Sequence, residues 1–316
     1  MPIKRIGGHD FACKRAAQYA SVPLLICGRF CSSVGWVCDG AALNCCSARS
    51  RAFDEDVMLQ WYRGQIRERG IVSATRLAWR VGWSRIQIGL RNKVLPQKLT
   101  CPCCGWKGRR FYDFIEPGYR ISNAVCPQCD SHPRHRAFYL WLSCEYPLQQ
   151  RRGVALVFAA EGALAPLWQS SAGLKVYRID IEPSRGRDVL GDLTHLPIAT
   201  NAVDLLWCHH VLEHIEDDRA AIKELYRVLS PDEGELIVSV PMIQGTTTEE
   251  YGFSDPMKTG HWRIYGDDFA DRLAEGGFSV RAIDFRLPAT DLERYGISPE
   301  PFYICIKRSI SRDLVN

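Results

Sequence analysis

The sequence lacks any apolar run of the roughly 18 residues that a membrane-spanning helix requires. The nearest candidate, residues 19–46, is interrupted by Arg29 and Asp39. The stretch YASVPLLICG has the length of a signal-peptide core, but the paired cysteines described below favour a reducing compartment. We therefore expect no membrane span and a cytoplasmic location.

The chain also has little net charge, +4 at pH 7, but the charge is unevenly distributed. Residues 1–150 carry 22 basic and 10 acidic side chains, which gives +12, whereas residues 151–316 carry 18 and 26, which gives −8. A basic half joined to an acidic half indicates two modules with different partners. The basic half suits phosphate, nucleic acid or an anionic surface, although a merely solvated basic face explains the charge equally well.

Regular periodicity is absent from residues 1–53, which hold six cysteines without ligand-like spacing. We interpret them as a poorly ordered, cysteine-rich tail. Residues 54–98 are basic and repeat apolar side chains at helical spacing. Those side chains are Leu59, Tyr62, Ile66, Ile71, Leu77 and Val81. The pattern predicts a helical segment that packs against a neighbour, with a phosphate-facing surface as the alternative.

The second half alternates apolar runs of strand length with amphipathic segments of helix length. The predicted strands are 154–160, 174–180, 202–208, 235–241 and 278–285, and the predicted helices are 162–171, 218–230 and 267–277. This alternation predicts an α/β fold with a doubly wound, mostly parallel sheet covered on both faces. A last strand, 302–308, follows a loop rather than a helix, which predicts an antiparallel strand at the edge.

Two C-x-x-C pairs separated by 21 residues precede this region, and their spacing is typical of a four-thiolate zinc ribbon. The four cysteines are Cys101, Cys104, Cys126 and Cys129. Gly105 and Asp130 follow the two pairs and tolerate the left-handed turn that such a site needs. We therefore predict that residues 99–150 form a structural zinc ribbon and a helix.

That helix, in SHPRHRAFYLWL, begins with Arg134, His135 and Arg136 close to its positive end. This placement predicts a negative group nearby. The zinc thiolates are the favoured candidate, and a substrate phosphate or carboxylate is the alternative.

Residues that follow the predicted strands are the candidate ligand-binding positions, because doubly wound sheets bind ligands at the carboxyl ends of their strands. They are Ala160, Glu161, Gly162 and Ala163; Asp180, Ile181 and Glu182; Asp192 and Leu193; and Cys208, His209 and His210. The segment HVLEH, residues 210–214, also matches the H-x-x-E-H zinc-protease pattern.

Residues 177–241 carry the motifs GDLTHLP, HVLEHIEDD and ELYRVLSP in the order seen in class I S-adenosylmethionine-dependent methyltransferases of the type 11 group. The chain resembles that family over about residues 99–310, in a form that carries a zinc ribbon ahead of the methyltransferase domain. The resemblance implies a Rossmann-like methyltransferase domain over residues 151–316, with S-adenosylmethionine as cofactor and a structural zinc. It also implies that HVLEH is not a catalytic zinc site.

Specific roles follow from the resemblance. Asp180 would bind the ribose, Asp192 and Leu193 the adenine, and Cys208 and His209 the methionine part through their backbone. Ala160, Glu161, Gly162 and Ile181 are further cofactor-binding candidates. The loop LVFAAEGAL departs from the family, because it has one glycine and no acid at the strand position where the family has an acid and a glycine-rich loop. Weaker cofactor binding or a lost activity therefore stays open.

Methyl transfer requires a base when the acceptor is a hydroxyl, and His210, His214 and His261 are the candidates. Three functions fit the sequence. The first is a methyltransferase acting on a small molecule, such as a sugar or polysaccharide precursor. The second is an RNA methyltransferase that uses the basic half. The third is a non-catalytic binding or scaffold protein that keeps the fold. The oligomeric state is not predicted.

Overall fold

The computed structural model describes residues 55–116, 118–182, 187–231, 233–298 and 300–307. The predicted tail, residues 1–53, lies outside these ranges. The helices are α1 (Glu55–Arg69), α2 (Ile71–Val94), α3 (Pro133–Cys144), α4 (Ala165–Ser170), α5 (Asp218–Val228), α6 (Phe269–Glu275) and α7 (Ala289–Tyr295). The strands are β1 (Leu99–Thr100), β2 (Lys107–Gly108), β3 (Tyr112–Ile115), β4 (Arg120–Val125), β5 (Gly153–Phe158), β6 (Leu174–Asp180), β7 (Val189–Leu190), β8 (Leu205–His209), β9 (Glu235–Ser239), β10 (Glu249–Asp255), β11 (His261–Ile264), β12 (Phe278–Ile283) and β13 (Phe302–Lys307).

Seven strands form the main sheet in the order β7-β6-β5-β8-β9-β13-β12. The neighbours from β7 to β9 are parallel, whereas β13 is antiparallel to both β9 and β12. The predicted α/β class with a mostly parallel sheet and an antiparallel last strand is therefore confirmed. The edge position predicted for the last strand is wrong, because β13 inserts between two strands. The connection before it is also not a plain loop, since α7 lies there.

The strands are apolar because the sheet is covered on both faces, and every residue of β8 is buried. On one face, α5 and α6 pack on the sheet through side chains such as Leu225 and Leu273. Asp217 caps α5 by accepting a hydrogen bond from the backbone N–H of Ala220 at 2.9 Å. On the other face, α3 and α4 pack through side chains such as Phe138 and Trp168.

Helix α3 joins the cysteine-rich region to the sheet. The ring of Phe138 lies 4.8 Å from Trp207, 4.6 Å from His209 and 4.8 Å from Phe302, measured between ring centroids. These rings place α3 directly on β8 and β13. Residues that precede the sheet in sequence therefore lie against the carboxyl end of β8.

The basic segment is helical as predicted, and its two helices are α1 and α2. Leu77 and Val81 of α2 are buried against Ile115 of β3, which confirms the expected packing. Leu59 is 46% exposed and Ile71 is 63% exposed, so the prediction from helical spacing that they pack against a neighbour is wrong for these two residues. Among the residues that the structure describes, no helix has the length and apolar character needed to cross a membrane.

Candidate functional site

The four predicted zinc ligands, Cys101, Cys104, Cys126 and Cys129, lie together, with their sulfur atoms within 4.8 Å of one another. The Sγ atoms of Cys101 and Cys129 are 3.6 Å apart, and those of Cys104 and Cys126 are 3.7 Å apart. A zinc ion with Zn–S bonds of about 2.3 Å places tetrahedral sulfur ligands roughly 3.8 Å apart. The donor set and its spacing therefore fit one tetrahedral zinc ion.

The turns after the two cysteine pairs have the predicted backbone. Gly105 has φ of 75° and Asp130 has φ of 54°, and both lie in the left-handed region. The N–H of Gly105 donates to the carbonyl of Cys101 at 2.9 Å, and that of Asp130 donates to the carbonyl of Cys126 at 3.1 Å. The two turns thus repeat one geometry around the cluster.

Arg136 is fully buried next to these cysteines. Its guanidinium donates to the carbonyls of Ala124 and Ser131 at 2.9 and 2.6 Å, and to that of Gly296 at 2.6 Å. Burial lowers the pKa of Arg136, and the neighbouring thiolates oppose that shift. The cysteine cluster is the candidate for the negative group expected near Arg136, and the hydrogen bond from Arg136 to Gly296 ties this part of the fold to the end of α7.

The carboxyl ends of β5 and β8 carry unusual backbone conformations. Ala159, directly after β5, has φ of 46°, and His210, directly after β8, has φ of 52°. Residues with a Cβ atom adopt this region at an energetic cost, and such residues concentrate at functional sites. Both lie at the edge where the sequence predicts ligand binding.

Glu161, in the loop after β5, is held by the helix that follows the cysteines. Its Oε1 lies 2.5 Å from Nε2 of His135, 3.7 Å from Nε2 of His209 and 3.9 Å from Nε of Arg134. The backbone N–H of His132 donates to Nδ1 of His135, so in the neutral ring Nε2 carries the proton and donates to Glu161. The negative group near Arg134 and His135 is therefore this carboxylate.

Two atoms of this group are buried without a protein hydrogen-bond partner, Oε2 of Glu161 and Nε2 of His209. His209 is 3% exposed, and its Nδ1 contacts Oγ of Ser239. Burial holds the pKa of His209 well below its ordinary value, so its imidazole is neutral. Unpaired polar atoms at a buried site are costly, which makes this point of the sheet edge suited to a polar ligand group.

A second polar group follows β8, on the 3-10 turn Leu212–His214. Glu213 is fully buried, and neither carboxylate oxygen has a hydrogen-bond partner. Burial raises the pKa of Glu213 to about 8. Nδ1 of His210 lies 3.4 Å from Oε1 of Glu213, and Nε2 of His210 lies 3.2 Å from Oε2 of Glu300. Because residues 212–214 form a 3-10 turn, His210 and His214 do not share the α-helix face of a zinc-protease motif.

The structure brings His214 and His261 together, with ring centroids 4.7 Å apart. Nε2 of His214 is 4.0 Å from Oε1 of Glu213. Burial lowers the pKa of His261 to about 4. All three proposed bases, His210, His214 and His261, therefore surround or adjoin Glu213.

The predicted nucleoside ligands lie along the neighbouring strands. Asp180 ends β6, and its Oδ1 accepts the N–H of Glu182 at 2.8 Å. Ile181 is 67% exposed. Asp192 is exposed, and its Oδ1 accepts the N–H of Thr194 at 2.8 Å.

The other residues predicted to bind the cofactor differ in their solvent exposure. Leu193 and Cys208 are buried in the core, so only their backbone could meet a ligand at this edge. In the loop after β5, Ala160 and Gly162 are exposed. The cofactor assignments remain predictions.

Three residues of this site were not identified as such from the sequence. His135 was interpreted through the helix dipole, and its contact with Glu161 joins residues 26 positions apart. Glu300 was not considered. Arg263 is 4% exposed and donates to the carbonyls of Leu212 and Glu216.

Part of the chain is similar to known proteins. No curated protein matches the sequence. Among solved structures, an S-adenosylmethionine-dependent methyltransferase from Mesorhizobium loti has 15% sequence identity and a TM-score of 0.40, with 54% of this chain and 98% of that chain covered. A similar enzyme from Archaeoglobus fulgidus has 14% identity and a TM-score of 0.40, with 57% and 96% covered. A chain in the complex between the Haloferax volcanii Trm112 methyltransferase activator and a methyltransferase has 15% identity and a TM-score of 0.39, with 55% and 92% covered. Residues 159–238, from the loop after β5 into β9, match the family model of a methyltransferase domain.

Proposed function

We propose that the protein is an S-adenosylmethionine-dependent methyltransferase that acts on a small-molecule acceptor. The observation that carries the proposal is the polar edge formed where β5, β6 and β8 end, within the segment that matches the methyltransferase domain. Ligands of doubly wound sheets bind at this edge.

The residues at the end of β6 fit the nucleoside part of the cofactor. One carboxylate oxygen of Asp180 accepts a backbone N–H, which orients the group and leaves the other oxygen for ribose hydroxyls. The exposed side chain of Ile181 offers an apolar surface for a purine ring. The unpaired Oε2 of Glu161 and Nε2 of His209 fit polar groups at the other end of the ligand.

The bound cofactor supplies an electrophilic methyl group on a sulfonium. The chain's own task is to align an acceptor with it and to remove a proton where the acceptor is a hydroxyl. His210, His214 and His261 are the candidate bases. Because burial lowers the pKa of His210 and His261, both rings are unprotonated near neutral pH and can accept a proton.

We also propose that Cys101, Cys104, Cys126 and Cys129 bind a structural zinc ion. The sulfur spacings of 3.6 and 3.7 Å support this assignment. Four protein ligands leave no position open for a substrate, so this ion would stabilise the fold rather than take part in a reaction.

Calorimetric titration of the full chain with S-adenosylhomocysteine tests the cofactor site. Asp180→Ala is expected to weaken binding at least about tenfold, because hydrogen bonds to charged groups contribute about 1.5–3 kcal/mol. Asp180→Asn, which can still accept the N–H of Glu182, is expected to lose less. Asp271→Ala, at an exposed position of α6, serves as the control and should bind as the wild type does.

A scaffold protein without catalysis is the second candidate. The loop after β5 has one glycine, and its Glu161 is held by His135 from α3, an arrangement that can stabilise the fold without a cofactor. Failure of the folded wild type to bind S-adenosylhomocysteine would favour this candidate. Once cofactor binding is established, an acceptor screen that includes RNA separates a small-molecule acceptor from a nucleic acid. A nucleic-acid acceptor predicts that the protein is retained on RNA and that this retention falls steeply with salt concentration.

A further inference from the structure

We propose that Glu213, His214 and His261 form a second metal site, which binds a divalent transition-metal ion. One ligand atom from each of the three residues lies within 4.8 Å of the other two. Two imidazoles and one carboxylate are a ligand set typical of zinc, iron and related ions. The site is distinct from the cysteine cluster and shares no residue with it.

The strongest support is the state of the Glu213 carboxylate. It is fully buried, yet both oxygens lack a hydrogen-bond partner. Burial disfavours the charged form of Glu213, which a compensating positive charge would stabilise. A divalent cation between Glu213 and the two imidazoles supplies that charge.

The tautomer of His261 also favours metal binding. The hydroxyl of Thr259 donates to the carbonyl of Lys258 at 2.7 Å, so its oxygen is free to accept the N–H of Nε2 of His261, which lies 3.0 Å away. That hydrogen bond leaves the lone pair of His261 on Nδ1. A hydrogen bond to one ring nitrogen is the usual way in which proteins orient the other nitrogen of a metal-binding histidine.

Arg263 fixes the two parts of the site relative to each other. It belongs to β11, two residues after His261, and its guanidinium donates to the carbonyls of Leu212 and Glu216, which flank Glu213 and His214. The turn and the strand are therefore connected by a buried cation rather than by side-chain packing alone. Ligands held on such connected elements need little rearrangement when an ion binds.

The distances are compatible with an ion after a small adjustment. Oε1 of Glu213 and Nε2 of His214 are 4.0 Å apart, whereas ligand atoms around a zinc ion lie about 3–3.5 Å apart for bonds near 2.0–2.2 Å. The side chain of His214 is 43% exposed, so an ion can enter from solvent. Three protein ligands leave at least one position for an oxygen of another molecule.

That open position gives the site a role if the proposed methyltransferase function holds. A metal-bound hydroxyl loses its proton more readily, because the cation stabilises the oxyanion. His210, next to Glu213, could then accept the proton. The acceptor class that fits this arrangement is a hydroxylated small molecule that binds the metal through an oxygen. This role rests on the proposed function, whereas metal binding itself does not.

Cobalt(II) titration of the full chain loaded with one equivalent of zinc tests the site, since that zinc occupies the cysteine thiolates, which bind it more tightly than cobalt, and leaves the second site empty. One cobalt ion per chain is expected, without a sulfur-to-cobalt charge-transfer band. Glu213→Gln and His261→Ala are expected to weaken cobalt binding at least about 100-fold. Loss of a residue that only hydrogen-bonds to a metal ligand typically weakens binding about 10–100-fold. Thr259→Ala should weaken it about 10–100-fold and Thr259→Ser should restore it.

Glu293→Gln and His195→Ala, both at exposed positions outside the site, are the matched controls and should bind cobalt as the wild type does. Folding of each variant is checked by circular dichroism. No uptake by the folded wild type, or equal uptake by folded Glu213→Gln, would overturn the proposal. Cobalt binding without S-adenosylhomocysteine binding would keep the metal site and reject the methyltransferase, and the reverse result would reject the metal site alone.

Discussion

Replacement of His135 by alanine, alone and together with Glu161→Gln, tests whether α3 is energetically coupled to the loop after β5. Nε2 of His135 lies 2.5 Å from Oε1 of Glu161, and the two side chains are only 8% and 17% exposed. A hydrogen bond to a charged group contributes about 1.5–3 kcal/mol. Because Arg134 lies 3.9 Å from the same oxygen and still interacts with it in the variant, we expect a coupling energy of about 1–2 kcal/mol.

The measurement is a double-mutant cycle in urea at pH 7, with the free energy of unfolding determined for the wild type, both single variants and the double variant. His195→Ala combined with Glu161→Gln is the control pair, because His195 is exposed, and its effects should add to within about 0.5 kcal/mol. A His135–Glu161 coupling below about 0.5 kcal/mol would refute the idea that this contact holds the loop.

Three further predictions concern stability. Asp218→Asn is expected to lower the free energy of unfolding by about 1.5–3 kcal/mol, because the buried Asp218 accepts charge-assisted hydrogen bonds from Tyr265 at 2.8 Å and from Arg272 at 2.7 Å, while Arg272 keeps its ion pair with Glu250. Chemical denaturation measures the loss, and a change below about 1 kcal/mol would contradict it. Burial lowers the pKa of His132 to about 3, so the folded state keeps the ring neutral while the unfolded chain takes up a proton near pH 6.5. The free energy of unfolding therefore falls as the pH drops below about 6.5, by about 2 kcal/mol at pH 5. Unfolding curves measured over this pH range should show a smaller decrease for His132→Gln than for the wild type. Equal decreases in the two proteins would show that His132 is not the cause. If the proposed zinc ion is bound, Cys104→Ser is expected to release it and to lower the melting temperature, as measured by metal analysis and calorimetry. Full zinc retention would remove Cys104 from the ligand set.

The central strands could be predicted from the sequence because burial on both faces imposes continuous apolar runs. All five residues of β8 are buried, and its predicted range, 202–208, overlaps the observed one. The hairpin of β10 and β11 was missed because β10 is mostly exposed and has no apolar alternation. Helix α7 was missed for a similar reason, since it buries none of its residues.

The position of β13 could not be predicted, because periodicity identifies a strand but not its neighbours. The same limit applies to the site. The edge residues Glu161, Asp180 and His209 were identified from their places after strands, which is a local property of the sequence. The contact of Glu161 with His135 depends instead on how α3 packs on β8, which only the folded chain reveals.

The insertion of β13 has a consequence for folding during synthesis. Among the described strands, β12 is hydrogen-bonded to the sheet through β13 alone. Residues 302–307 leave the ribosome after all the other strands of the sheet, so β5 to β9 can pair early while β12 waits without a partner. During that interval both β9 and β12 expose open backbone edges, which are templates for association with other chains. The interval between synthesis of β12 and synthesis of β13 is therefore a stage at which aggregation competes with folding.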